Sequence, residues 1–316
     1  MRTKLLGTYK NGNYSVALFE DGTKIRKNDL DFFCPSTVES MDIKITNCCN
    51  MACRQCHENS TPDGKHGDIL ASSFLDKLHP FCELAIGGGN PLEHPDLDEF
   101  LQKCKERKHI PSMTVNQVHF EKEFDRIKNL CDNKLIYGLG ISLANATPEF
   151  IEKVKQIPTA VIHVINGIVT EKQLRALRFN GLKVLILGYK VFRRGEKLYQ
   201  EIGPEIEEKK QMLKDLLPVM IEGNWFKVIS FDNLSLGQLE VRSLLNDEEW
   251  DRFYMGNDGL DGDEDCLSAT YFVDLVERKF AINSCATERF DLLATAEEML
   301  ERLWHDKLEI LRNRGK

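Results

Sequence analysis

Four cysteines, Cys48, Cys49, Cys53 and Cys56, fall within nine residues of TNCCNMACRQCHENS. Three of them, Cys49, Cys53 and Cys56, are separated by three residues and then by two. Three thiolates on one short loop can hold three irons of a cubane iron–sulfur cluster, leaving the fourth iron without a protein ligand. A tetrahedral zinc site is a second reading, with Cys48 or His57 as the fourth ligand. A thioredoxin-type dithiol at Cys53 and Cys56 is a third, although no thioredoxin-like layout follows it. Core packing is a poor account of four cysteines set among Asn, Arg, Gln and His. By contrast Cys82, Cys104 and Cys131 lie in apolar-periodic segments and read as small core residues.

A second run able to meet a ligand is ELAIGGGNPLEHPDLDEFL. Gly87, Gly88 and Gly89 let a backbone approach a ligand closely, and Asn90 and Pro91 end the run. A plain turn closed by Pro91 is the alternative.

Such residues need elements to hold them. From Met41 the chain alternates strand-like and helix-like blocks. The strands are DIKIT, ELAIG, SMTVN, LGISLA, AVIHVIN, LKVLILG and FKVISF, mostly Ile/Val-rich runs of the kind buried on both faces of a sheet. The helices HPDLDEFLQKCKERK, FEKEFDRIKNLC, TPEFIEKVKQI and EIEEKKQMLKDLLPVMI lie between them. This alternation implies a parallel sheet, doubly wound or curled into a barrel, with ligands at the carboxyl ends of its strands. The cysteine loop directly follows the first strand and the glycine run ends the second. Before them, residues 1–40 read as a β-meander turned at Asn11-Gly12 and Asp21-Gly22. After about residue 232 come a hairpin, TYFVDLVERKFAIN, and a closing amphipathic helix.

The two motifs in this order resemble the signature of radical S-adenosylmethionine (SAM) enzymes: a Cys-x3-Cys-x2-Cys loop after the first barrel strand, then a Gly-Gly-Glu-Pro motif with an "HPDL" helix start. The resemblance covers roughly residues 41–232. It implies a partial (β/α)6 TIM-like barrel at 41–232; with the small N-terminal β element at 1–40 and a C-terminal α/β extension at 233–316, the expected fold class is α/β. It also implies a [4Fe–4S] cluster on Cys49, Cys53 and Cys56, with SAM chelated to the open iron. Reductive cleavage of SAM would give a 5′-deoxyadenosyl radical that abstracts hydrogen from a substrate.

By the same resemblance, SAM contacts fall on Gln55, Gly88, Gly89, Asn90, Asn116, Ser142, Asn145 and Gly188, with Tyr189 beside the last. Several depart from the pattern. Asn90 stands where the family has a Glu that accepts from the SAM ammonium, so the charge-assisted part of that bond is missing. Gln55 replaces an aromatic residue, and Ala144 an Asp for which Asn145 is the substitute. Asn145 also suits the helix start that follows it.

Toward substrate, GYKVFRRGEKLYQEIG reads as a loop after the sixth strand. Its Lys190, Arg193, Arg194 and Lys197 are either a solvated surface or a handle for an anionic group. Asp232 and Asn233 end the seventh strand, where substrate groups would sit, while His57 and His163 read as structural. Cys266 and Cys285 flank the hairpin, but an auxiliary cluster needs many more cysteines. NDGLDGDED lacks the spacing of a calcium loop.

The whole chain of 316 residues carries 50 Asp+Glu against 42 Lys+Arg, a net charge of −8 that argues against gripping long nucleic acid. No apolar run would span a membrane, and MRTKLLGTYKNGNY has no h-region, so a cytoplasmic location is expected. The expected partners are a small or nucleotide-sized anionic substrate, with a ribosomal peptide as runner-up, and a flavodoxin- or ferredoxin-type electron donor. A non-catalytic iron–sulfur or zinc module is the reading from another class.

Overall fold

The computed structural model describes residues 3–30, 32–253 and 269–314. Its strands are β1 (Leu5–Asn11), β2 (Tyr14–Phe19), β3 (Lys24–Lys27), β4 (Ser40–Thr46), β5 (Glu83–Gly88), β6 (Ile110–Asn116) and β7 (Gly138–Ser142). They continue as β8 (Ala160–Ile165), β9 (Lys183–Leu187), β10 (Val228–Phe231), β11 (Thr270–Asp274), β12 (Lys279–Ala281) and β13 (Phe290–Asp291). Strands β1 to β3 form the antiparallel meander, its turns carried by Gly12 and Gly22. The other ten make one sheet in the order β10-β9-β8-β7-β6-β5-β4-β11-β12-β13.

All seven strands expected from the β-α alternation lie parallel, and β11 adds an eighth parallel strand on the far side of β4. Residues beyond 232 thus extend the same sheet. The sheet is curled. Asp42 on β4 interacts electrostatically with Lys190 and Asp232, which follow β9 and β10. In a flat sheet the six strand spacings from β4 to β10 would separate them by roughly 29 Å, at about 4.8 Å per strand. Among the described residues β10 and β13 remain unpaired edges, so the barrel is partial.

The helices are α1 (Ser73–Asp76), α2 (Leu97–Glu106), α3 (Gln117–Lys122), α4 (Phe124–Asp132), α5 (Pro148–Lys155), α6 (Glu171–Leu177), α7 (Arg194–Glu222), α8 (Asn233–Gln238), α9 (Asp247–Phe253) and α10 (Ala296–Arg314). They cover one sheet face, where Ile43, Ile45, Leu84, Ile86, Met113, Val115, Ile141 and Ile162 pack with Phe100, Phe120 and Phe150 in the main core.

Contrary to what their apolar runs imply, the strands are not buried on both faces. Alternate positions, among them Asp42, Ala85, Ser112, Thr114, Ser142 and His163, are exposed or half-buried and line an open lumen. The basic segment after β9 also differs from the loop that its sequence suggests. It is not all loop: α7 begins at Arg194 and is broken only at Ile202, two residues before Pro204. The proline opens the second helical segment, where its missing N–H is no loss. Cys266 and NDGLDGDED lie outside the described residues.

Candidate active site

The cysteine loop is built onto the carboxyl ends of β4 and β5 by backbone bonds. Cys49 N–H donates to Thr61 O (2.9 Å), and Asn47 N–H to Lys65 O (2.8 Å), which closes the loop on itself. Gly89 and Asn90 then donate to Thr46 O (2.8 Å) and Cys48 O (2.7 Å), stitching the glycine run against the first cysteines. This explains two glycines without any ligand. Gly88 has φ +112°, and a Cβ there would lie 2.3 Å from Thr46 O; on Gly89 it would lie 2.2 Å from Cys48 O. Their task is close approach to the loop backbone.

Burial raises the thiol pKa of Cys49 and Cys53, and the neighbouring thiols raise it further, so Cys49, Cys53 and Cys56 share one electrostatic neighbourhood. Among the described residues no three His, Cys, Asp or Glu already stand in metal-binding geometry. The two candidates for completing a zinc site are engaged elsewhere. Cys48 Sγ donates to Glu93 Oε2 (3.0 Å), which pushes its pKa up to about 11, and it also meets Pro62 O (3.2 Å). His57 Nε2 faces Glu58 Oε1 at 3.2 Å and Lys190 Nζ at 3.4 Å.

Much of the basic segment after β9 holds this loop in place. Arg193 donates to Glu58 O (3.0 Å) and Arg194 to Ser60 O (2.7 Å). Buried Lys44 joins Glu58 (3.0 Å) to Asp274 (3.1 Å), tying the loop exit to β4 and β11. Burial opposes ionisation of Glu58, but His57 and Lys44 outweigh it and hold its pKa at about 2. Lys190 also donates to Ser284 Oγ (3.0 Å) at the lumen mouth.

The other expected contacts divide. Asn116 and Ser142 are register partners at adjacent strand ends, with His163 next in line. Asn116 Oδ1, however, accepts from Val118 N–H (2.9 Å) and so caps α3. Asn145 does not cap α5; Thr147 does, accepting from Phe150 N–H at 3.2 Å. The backbone of Asn145 is instead clamped by the buried Gln117 side chain, which accepts from its N–H and donates to its carbonyl, both at 2.8 Å. Gly188 N–H is taken by Asp232 Oδ1 (2.9 Å), and a Cβ on Gly188 would meet Leu234 at 2.5 Å, so this glycine makes room for α8. Asp232 also caps α8 through Ser235 N–H (2.8 Å). Tyr189 is buried and donates to Gly195 O (2.7 Å). Gln55 is half-buried beside the cysteines.

Asn90 is different. It is 4% exposed, its Nδ2 donates to Glu93 Oε1 (3.1 Å), and its Oδ1 is buried with no partner. An unmade acceptor of this kind fits a ligand that brings its own donor, such as the ammonium of SAM. Asn90 lines a cavity of about 250 Å³ shared with Asn50 and Met51 of the cysteine loop.

Deeper in the lumen, solvent reaches Asp42, yet protein encloses it and raises its pKa; the charges of Asp232 and Glu58 add to this and Lys190 opposes it. Burial alone lowers the pKa of His163 to about 4. Asp42, Lys44, Glu58, Gln117 and Glu93 went unnoticed as site residues. The available signal was period-2 alternation, which sets Asp42 and Lys44 on the face opposite Ile43 and Ile45.

No protein-family model matches the chain. A probable GTP 3',8-cyclase of Methanocaldococcus jannaschii is 29% identical over 161 residues, 47% of this chain and 51% of that protein. One from Methanococcus maripaludis is 26% identical over 125 residues, covering 37% and 40%. The chain thus spans about half the length of these relatives or less. In fold it is similar to Streptococcus suis SuiB, with a TM-score of 0.57 at 12% identity over 98% of this chain and 89% of that one. SuiB bound to precursor peptide SuiA gives 0.55 at 15% identity, covering 87% and 66%. SuiB bound to S-adenosylmethionine gives 0.53 at 14% identity, covering 88% and 66%.

Proposed function

We propose that the chain is a radical SAM enzyme that cleaves SAM reductively and abstracts hydrogen from a small or nucleotide-sized anionic substrate, a reading supported by its similarity to the probable GTP 3',8-cyclases and, in fold, to SuiB. When bound on Cys49, Cys53 and Cys56, a [4Fe–4S] cluster supplies the electron that breaks the C5′–S bond of SAM. The protein contributes placement. Gly88 and Gly89 hold the cysteine loop against β5, Arg193 and Arg194 hold its exit, and Asn90 offers its unpaired oxygen to the ammonium. That oxygen, buried beside the cysteine loop with no donor of its own, is the observation that carries the reading.

For the substrate, Lys190 offers a cation at the lumen mouth and Asp42 and His163 offer polar groups within it. A flavodoxin- or ferredoxin-type protein is the proposed electron donor. Among the described residues no helix is long and apolar enough to cross a membrane.

The test is anaerobic. Reconstituted protein reduced with dithionite should turn SAM into 5′-deoxyadenosine and methionine, faster with the right substrate. GTP is the first probe and a ribosomal precursor peptide the second. A fully loaded protein that binds SAM yet forms no 5′-deoxyadenosine would be the non-catalytic module instead.

A further inference from the structure

Asn90 occupies a position whose family counterpart is anionic, and its surroundings restore the charge from three residues away. Pro91–Glu93 forms a single 3-10 turn entered from Asn90, with Glu93 N–H donating to Asn90 O at 3.1 Å. In such a turn side chains at i and i+3 eclipse, which brings the Glu93 carboxylate onto the Asn90 amide. The contact, Nδ2 to Glu93 Oε1 at 3.1 Å, settles the amide's orientation. A carboxylate only accepts, so the amide must turn its NH2 toward Glu93 and its oxygen away. On that far side Oδ1 finds no donor among the described residues.

Glu93 is itself fixed: its other oxygen accepts from the Cys48 thiol at 3.0 Å. That bond first, and the one from Asn90, hold its pKa below the usual carboxylate range. An anion accepting from one end of an amide polarises the other and increases the negative charge on the oxygen. We propose that Asn90 and Glu93 act as a split carboxylate: Asn90 Oδ1 makes the contact with the SAM ammonium, and Glu93 supplies the charge and the orientation through the amide. Glu93 is a positioning residue, and its role rests on the radical SAM reading. It also removes the weakness expected of Asn at this position, since the bond to the ammonium regains part of its charge-assisted character.

Calorimetric titration of cluster-loaded protein provides the test, with SAM and with its analogue lacking the α-amino group as the two probes. In Glu93→Gln the amide is free to turn, because glutamine can donate as well as accept. SAM affinity should fall about tenfold, with affinity for the deaminated analogue unchanged. The double variant Asn90→Glu/Glu93→Gln, which moves the carboxylate to position 90, should recover wild-type SAM affinity. Unchanged SAM binding in Glu93→Gln, or equal losses for both probes, would overturn the split carboxylate and leave the parent reading standing. A wild type that binds no SAM would take both down.

Discussion

Two buried polar side chains at opposite ends of the parallel sheet, Glu39 and Asn90, are treated in opposite ways. Below the amino ends of β4 and β5, Glu39 is fully buried and saturated. Tyr14 Oη donates to it at 2.6 Å, Arg26 from two nitrogens at 2.7–3.1 Å, and Lys24 Nζ lies at 3.2 Å. This cluster docks the β-meander. Above the carboxyl ends, Asn90 Oδ1 is also buried and has no partner among the described residues. Saturated burial marks a joint that only has to stay closed. Unsaturated burial is tolerated where something else is meant to bind.

The contrast breaks most sharply at the cysteines. Cys49→Ala, Cys53→Ala or Cys56→Ala should abolish the cluster, measured as iron and acid-labile sulfide after anaerobic reconstitution. Cys48→Ala should leave it, because that thiol faces Glu93 and Pro62. One zinc per chain with no sulfide would defeat this expectation.

Next in size is the amino-end joint. Glu39→Gln removes the buried carboxylate from Arg26 and Tyr14 and leaves Lys24 with Glu83 alone of its two carboxylates. It should lower stability by about 3 kcal/mol in denaturant titrations, with little change in SAM affinity per folded molecule. Burial works against the Glu39 carboxylate, but Arg26 and Lys24 prevail and its pKa lies below the ordinary value. Its contribution is therefore present above the carboxylate's unfolded pKa and is lost as pH falls below about 4.

His163 gives a smaller effect of the same sign. Its pKa is about 4 in the fold against about 6.5 unfolded, so the unfolded chain takes up a proton first. Stability should decline as pH drops from about 6.5 to about 4, by at most about 3 kcal/mol. His163→Gln should flatten that slope; an unchanged slope would mean the ring is not neutral in the lumen.

The smallest effect should come from Asp42→Asn. Removing a carboxylate whose charge is opposed by burial and by Asp232 and Glu58 should raise the denaturation midpoint slightly while lowering substrate-stimulated, but not basal, 5′-deoxyadenosine formation. A lower midpoint would show Asp42 to be a structural residue like Glu39.

The sequence by itself determined the succession of seven parallel strands along the chain, the cysteine loop after β4 and the glycine run after β5, because period, turn chemistry and motif spacing are local properties of the chain. It also marked Asn90 as the odd residue. Only the tertiary structure decided what each polar group does. Asp232, Asn116 and Gly188 stand at the strand ends as the alternation implied, yet two cap helices and the third makes room for α8. Arg193 and Arg194 read as a surface or an anion handle and instead grip the cysteine loop's exit from more than 130 residues away. Asp42 and Lys44 sit inside what reads as an ordinary buried strand, yet Asp42 faces the open lumen and Lys44 is buried between Glu58 and Asp274. The reason is physical: hydrogen-bond satisfaction and burial are set by the partners that folding brings near, and those partners are distant in sequence. Glu93 is the instructive exception, three residues from Asn90, since there the turn geometry alone supplies the contact.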